Sequence, residues 1–337
     1  MKVVIDHASP FLLAHGGFQT QIEQTRNGLL ELGIDVEWLR WWDDSQGADL
    51  IHYFGIPPLS YLRQAASKGI PVVVTYLLTE QCNRSESALA MQGAVIRLIR
   101  SIPGGKGFAG RLGWESLRTA SRLVVGLECE KKALEHLFEV DGGKISLVPL
   151  GLHRAFLDNP RTISPKGDFL ISTGTITERK RSVELAEMAC EAGVSILFVG
   201  KPYSEKDPYW IRFLKLVDGR TIRYKSHVET PEEMAALLSS AQGFVLFSAY
   251  ENWCLSAHEA AACGLPLCLP DMRWSRECFP GGGSYLDPYP SPRNPALLKA
   301  FHAACAGTLP QARCTLVGWR EVATRLLAVY KETLSRS

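Results

Sequence analysis

No apolar run in this chain approaches the ~18–20 residues that cross a bilayer. Its opening stretch, "MKVVIDHASP", lacks the charged-then-apolar pattern of a secretory leader and reads instead as a short strand. There is no C-x-x-C pair. The nine cysteines are odd in number and scattered, which excludes a zinc ribbon and speaks against a disulfide framework; they are expected as reduced, mostly buried thiols. An excess of one charge is also missing. A net charge of +2 over 337 residues sets nucleic acid aside as a partner. Neither the dinucleotide fingerprint G-x-G-x-x-G nor the Walker loop G-x-x-x-x-G-K-[ST] occurs. These absences point to a cytoplasmic enzyme or binding protein, free or attached to the inner face of a membrane.

What is present is an alternation. Hydrophobic residues make up 46% of the chain, enough for the cores of about two domains. "KVVID", "IDVEWLRW", "ADLIHYFG", "IPVVVTYLL", "RLVVGL" and "KISLVPLG" read as strands, and "FQTQIEQTRNGLLELG", "LSYLRQAASKG" and "EKKALEHLF" as helices between them. Residues 153–168 are polar, carry two prolines and have no period, as an inter-domain linker would. The alternation then restarts with "FLISTG", "SVELAEMACEAG", "VSILFVG", "PEEMAALLSSA", "GFVLFSA", "SAHEAAACG" and "LPLCLPD", and closes on the amphipathic "VGWREVATRLLAVYKETL". Apolar strands alternating with helices predict an α/β fold with parallel sheets covered on both faces. The expected division is 1–155, 166–315 and a terminal helix at 316–337. Ligands of such sheets bind at the carboxyl ends of strands, and the cleft between two such domains is the expected active site.

Three stretches have the chemistry of an anion site. His15-Gly16-Gly17 precedes a helix, where glycine admits close approach and free N–H groups face outward; a plain tight turn explains it equally well. After the strand ending at Gly174, Arg179, Lys180 and Arg181 stand before a helix, the end the macrodipole disfavours for cations. An anion held among them resolves the conflict; a solvated basic turn is the plainer account. The third stretch is "YENWCLSAHEAAACGLPLCLPD", residues 250–271. Ser256 and Glu259 have the spacing of a capping box, with Ser at the N-cap and Glu at N3. Glu251 lies in the loop before that helix and is not explained by capping.

Taken in order, these segments resemble a retaining glycosyltransferase of the GT-B fold, glycosyltransferase family 4, over nearly the whole chain. "GGFQTQIEQTRNGLLELGIDVE" is similar to that family's glycine loop and first helix. "ADLIHYFG" is similar to its D-(V/I)-(V/I)-H strand, and "ASRLVVGLECEKKALEHLFEVDGGKISLVPLGLHRAF" to the segment that leads into its linker. "GTITERKRSVELAEMA" is similar to G-T-x-x-x-R-K-N, and "GWREVATRLLAVY" to the closing helix that crosses back to the first domain. The most specific match is the pair Glu251 and Glu259, with seven residues between them, the second opening "EAAACGLP". Three positions depart from the pattern. Asn252-Trp253-Cys254 replaces Gly-Phe-Gly and implies more bulk near a donor sugar. Thr175 stands where many members have arginine. Tyr76 and Leu77 replace a histidine after the fourth strand.

The resemblance implies two Rossmann-like domains facing each other across a cleft, and transfer of a sugar from a nucleotide diphosphate sugar (UDP- or GDP-linked) to an acceptor hydroxyl with retention. The setting it implies is polysaccharide or glycoconjugate biosynthesis. No metal or other cofactor is expected. The acceptor is unidentified; lipid-linked or membrane-associated acceptors fit the family. By carry-over, Arg179 and Lys180 clamp the diphosphate, and Glu251 orients the sugar. Glu259 takes the ribose diol, while Gly16, Gly17, Gly174, Thr175, Leu255 and Ser256 line the donor. Two other readings stay open: a GT-B epimerase or hydrolase of nucleotide sugars, and a non-catalytic GT-B module. Trp38, Trp41 and Trp42 are expected to pack at a sheet end, and His52 to be a strand-end residue. Residues 87–114, "SALAMQGAVIRLIRSIPGGKGFAGRLGW", hold four cations and no acid. They fit either a core helix with a basic edge or a surface-binding helix.

Overall fold

The computed structural model describes residues 1–12, 16–78, 80–105, 107, 109, 112–158, 167–226, 228–288, 294–307 and 314–336. His15, Lys106, Arg111 and positions 159–166 of the expected linker lie outside these. Contacts divide the chain into two units: Met1–Gly151 with Trp319–Ser337, and Leu152–Gly318.

The first unit contains β1 (Lys2–His7), α1 (Gly17–Glu31), β2 (Asp35–Trp38), β3 (Leu50–Phe54), α2 (Leu59–Ser67) and β4 (Val72–Thr75). It continues with α3 (Glu86–Ser101), α4 (Trp114–Thr119), β5 (Arg122–Val125), α5 (Glu128–Phe138) and β6 (Ile145–Leu147). Its six strands are parallel in the order β2-β1-β3-β4-β5-β6. Every residue of β3, β4 and β5 is buried, as expected of strands covered on both faces.

The second unit contains α6 (Arg154–Leu157), β7 (Leu170–Thr173), α7 (Ser182–Ala192), β8 (Ile196–Val199), α8 (Pro208–Leu214), β9 (Ile222–Lys225), α9 (Pro231–Ser239) and β10 (Gly243–Val245). It continues with α10 (Leu255–Ala262), β11 (Leu267–Pro270), α11 (Arg273–Cys278), β12 (Gly283–Leu286) and α12 (Pro295–Cys305). The sheet is again all parallel, in the order β12-β11-β10-β7-β8-β9. Numbered within the unit this is the 3-2-1-4-5-6 order, in which the succession of strands changes sense between β7 and β10.

One boundary differs from the sequence expectation. The second unit begins at Leu152, because residues expected in the linker form α6, which is capped by the His153 ring and packs on α9 and α10. The last helix, α13 (Trp319–Arg336), belongs with the first unit. It lies close along α1 because Gly28 has no side chain: a Cβ there would sit 2.8 Å from the Trp319 carbonyl oxygen. Tyr330 anchors it further. Its hydroxyl is 2.6 Å from Nδ1 of His52, whose Nε2 lies 2.7 Å from Thr75 Oγ1. His52 is wholly buried, and burial pushes its imidazole down to about 3, so it is a neutral bridge between sheet and helix.

The tryptophan expectation is corrected in part. Trp38 packs edge-on against His7 and Phe11, but Trp41 and Trp42 are largely exposed. They follow the end of β2 in the loop before β3, where the Trp41 ring meets Tyr61 of α2 at 6.4 Å. Cys82, Cys129, Cys254, Cys263, Cys268 and Cys278 are buried, in line with the expected placement of thiols. Among the described residues, no helix is long and apolar enough to cross a membrane.

Candidate functional site

In an open parallel sheet, the loops at the reversal of strand order splay apart and leave a crevice at the strands' carboxyl ends. In the second unit that point lies between β7 and β10. The loop after β7 carries Gly174, Thr175, Arg179 and Lys180; the loop after β10 carries Glu251 and leads into α10.

Gly174 is at φ 144°, a conformation that side chains disfavour, and its N–H donates to the Val199 carbonyl at 2.9 Å. Gly200, at the end of β8, passes so close that a Cβ would meet the Gly174 oxygen at 1.9 Å. The backbone is thereby left bare at the end of β7. A small concavity opens there, lined by Thr173, Gly174, Thr175, Ile176, Lys180 and Ser182. Thr173 is buried and its Oγ1 has no hydrogen-bond partner among the described residues.

Residues Glu178–Lys180 form a single 3-10 turn, with Thr177 Oγ1 accepting from the Lys180 N–H. The turn directs Arg179 and Lys180 onto Glu251. Arg179 Nη1 lies 2.8 Å, and Lys180 Nζ 2.5 Å, from the same oxygen, Glu251 Oε1. Arg179 also donates to the Tyr250 carbonyl at 3.1 Å, while its own carbonyl accepts from the Ala249 N–H at 2.7 Å, so the two loops are tied together. Glu251 is buried. Burial alone would push its carboxyl up, but Lys180 and Arg179 outweigh it and hold the group below the usual carboxylate range. Glu251 is therefore an ionised carboxylate. It supplies an anion to the basic turn.

Arg181, the third cation of the run, is not part of this cluster. It adopts the left-handed conformation at φ 51°, crosses the Phe247 ring and donates to the Pro288 carbonyl.

The expected capping box is also corrected. α10 starts at Leu255, with Cys254 in the N-cap position at φ 54°. Ser256 is therefore the second helical residue and Glu259 the fifth, too far along to cap. The helix begins early because the left-handed turn at Cys254 points its carbonyl back into the helix, where the Ala257 N–H donates to it at 3.1 Å. Glu259 makes no side-chain hydrogen bond or ion pair among the described residues, and burial pushes its carboxyl up to about 7. The extra bulk of Trp253 is absorbed below the loop. Its indole is buried and stacked on His258 at 4.5 Å, and His258 in turn packs on Phe279.

The structure thus gathers Gly174, Thr175, Arg179, Lys180, Glu251, Leu255, Ser256 and Glu259 in the second unit, on the two loops of the crevice and the helix after them. Gly16 and Gly17 belong to the first unit, where Gly16, at φ 128°, precedes α1. Three contributors were missed in sequence: Thr173, Gly200 and the Tyr250 carbonyl. A glycine directly after an apolar strand, as in "VSILFVG", was the signal available for Gly200.

Two six-stranded parallel sheets with flanking helices are the GT-B architecture. The chain is similar over its full length to the whole of a sucrose-phosphate synthase from Thermosynechococcus elongatus, at 17% identity and a TM-score of 0.66. It is likewise similar to Anabaena Alr3699/HepE, solved in complex with UDP-glucose, at 12% identity and a TM-score of 0.63, covering 100% of this chain and 99% of that one. A UDP-GlcNAc 2-epimerase from Methanocaldococcus jannaschii matches at 12% identity and a TM-score of 0.55, covering 98% of this chain and 100% of that one. No protein-family profile matches the chain. No curated protein matches it either.

Proposed function

We propose that this chain is a GT-B glycosyltransferase of family 4 that moves a sugar from a UDP- or GDP-sugar to an acceptor hydroxyl with retention of configuration, in polysaccharide or glycoconjugate biosynthesis. The observation that carries this reading is the convergence of Arg179 and Lys180 on the buried carboxylate of Glu251, beside the bare backbone at Gly174 and at the crevice of the second sheet. Two cations, an uncovered glycine backbone and a helix start are what a departing diphosphate needs as negative charge builds on it.

The roles divide as follows. Lys180 and Arg179 neutralise the diphosphate, aided by the N–H groups of Leu255 and Ser256 at the start of α10. Gly174, Thr175, Gly16 and Gly17 let the donor approach backbone. Glu251, held on the two cations through Oε1, orients the donor sugar. Glu259 accepts from the ribose diol. The cations do the work that a metal ion does in other transferases, so no metal is required. We place the protein in the cytoplasm.

The test is a screen of UDP- and GDP-sugars for thermal stabilisation of the purified chain, followed by product analysis with the stabilising donor. Transfer to an acceptor supports the reading. Conversion of the donor to an epimer or to free sugar would make the protein an epimerase or hydrolase. Stabilisation without turnover on any acceptor would make it a binding module.

A further inference from the structure

Helix α3 turns apolar residues outward. Ser85 caps it, its Oγ accepting from the Ala88 N–H at 3.2 Å. Its inner face is Leu89, Gly93 and Ile96, all buried, and it meets α5 so closely that a Cβ on Gly93 would lie 2.2 Å from the His136 carbonyl oxygen. The opposite face should then be polar. Instead Met91, Val95, Leu98 and Ile102, spaced four, three and four residues apart, are exposed by 65, 51, 65 and 53%. Leu112, at the far end of the same connection, is 46% exposed. A contiguous apolar stripe on a soluble surface marks an interaction site.

Charge selects the partner. From Ser87 to Ser101 the helix has no acid. Residues 84–118 hold six cations and two acids; of the cations, Arg84, Arg100 and Arg118 are paired with Glu80, Glu115 and Glu139. The two acids are already engaged: Glu115 by Arg100 at 2.7 Å and Glu86 by Lys132 at 3.8 Å. Arg97, beside the stripe, is exposed and makes no ion pair among the described residues. The complementary surface is therefore both anionic and apolar, one layer above the other, which is the layering of a phospholipid headgroup and acyl boundary.

We propose that the outer face of α3 docks this protein on an anionic phospholipid surface, with Met91, Val95, Leu98 and Ile102 entering the acyl boundary and Arg97 meeting headgroup phosphates. This stands apart from the transferase reading and does not need it.

The test is flotation of the full chain with vesicles of phosphatidylglycerol and phosphatidylcholine, and with phosphatidylcholine alone, at low and high salt. Binding to the anionic vesicles at low salt is expected, weakened by salt because exposed charges are screened. Leu98→Glu and Val95→Glu should each lower binding about tenfold or more, the scale of withdrawing one aliphatic side chain from an apolar phase. Both positions are exposed, so thermal unfolding should be unchanged. Ile211→Glu, an exposed apolar position on α8, should leave binding as it was. No flotation at low salt would overturn the proposal, as would binding indifferent to both substitutions. So would a dimer in sedimentation that the substitutions split in the absence of lipid binding, which would assign the stripe to a second copy of the chain.

Discussion

Because Glu251 already draws Arg179 and Lys180 onto one oxygen, each of the three side chains has a structural and a functional part that can be pulled apart. Lys180→Ala deletes a charge-assisted contact worth ~1.5–3 kcal/mol, so affinity for a nucleoside diphosphate should fall about ten- to a hundredfold. It also leaves a buried carboxylate with one cation instead of two, and the melting temperature should drop. In the double variant Lys180→Ala/Glu251→Gln the buried carboxylate is gone and the charge that remains is that of Arg179, which is partly exposed to solvent; melting should recover in part while affinity does not. If both recover together, Lys180 serves only the fold. Glu259 gives a pH signature. Its folded pKa, about 7, lies above the ordinary 4.5, so between those values the folded chain binds more protons than the unfolded one. Stability from this group is then highest below about 4.5 and is lost as pH rises towards 7, by no more than about 3 kcal/mol. Glu259→Gln should remove that loss and melt higher than the parent at pH 8, with little difference at pH 5. A ribose diol needs the ionised form, so nucleotide affinity of the parent should gain on that of Glu259→Gln as pH rises through 7. Equal affinities at pH 8 would take the ribose away from Glu259.

At the level of elements, the start of α10 shows where local sequence rules fail. Ser-x-x-Glu is a sound capping signal, yet Cys254 takes the cap in a left-handed turn that residues with a side chain seldom adopt. No pattern within the helix announces that. Ser256→Ala should therefore change stability by less than about 0.5 kcal/mol, where loss of a true N-cap would cost about 0.5–2 kcal/mol. Chemical denaturation of the parent and variant would tell the two apart. The buried strands β3, β4, β5, β7 and β11 were legible because each lies in a largely apolar run bounded by turn residues. Missed were β9, an edge strand reading "IRYK", β12, reading "GSYL", the short helices α4, α8 and α11, and the three-turn α12. Edge strands and one- or two-turn helices bury too little to impose a period. The basic turn at 179–181 was legible as a charge in the wrong place. Its partner, Glu251, was not assigned to it, because it lies about seventy residues away and only the strand order brings the two loops together.

For the whole molecule, the proposed chemistry makes two expectations that no single side chain carries. Product from an α-linked donor should be α-linked, read from the anomeric proton coupling, because a metal-free front-face route keeps the configuration; an inverted product would reject it. Turnover should survive chelation by EDTA, and loss of activity restored by a divalent cation would show that Arg179 and Lys180 do not suffice. The division into two units has a temporal side as well. The second unit is continuous in sequence, whereas the first is closed by α13, which follows it. On a ribosome adding about 5–20 residues each second, the first sheet emerges and then waits on the order of 10–30 s before the helix that covers α1 is made. During that interval His52 lacks Tyr330 and Gly28 faces open space. The unit begun first is thus the one finished last, and a nascent chain stalled before Trp319 should hold a completed second domain beside an uncovered first one.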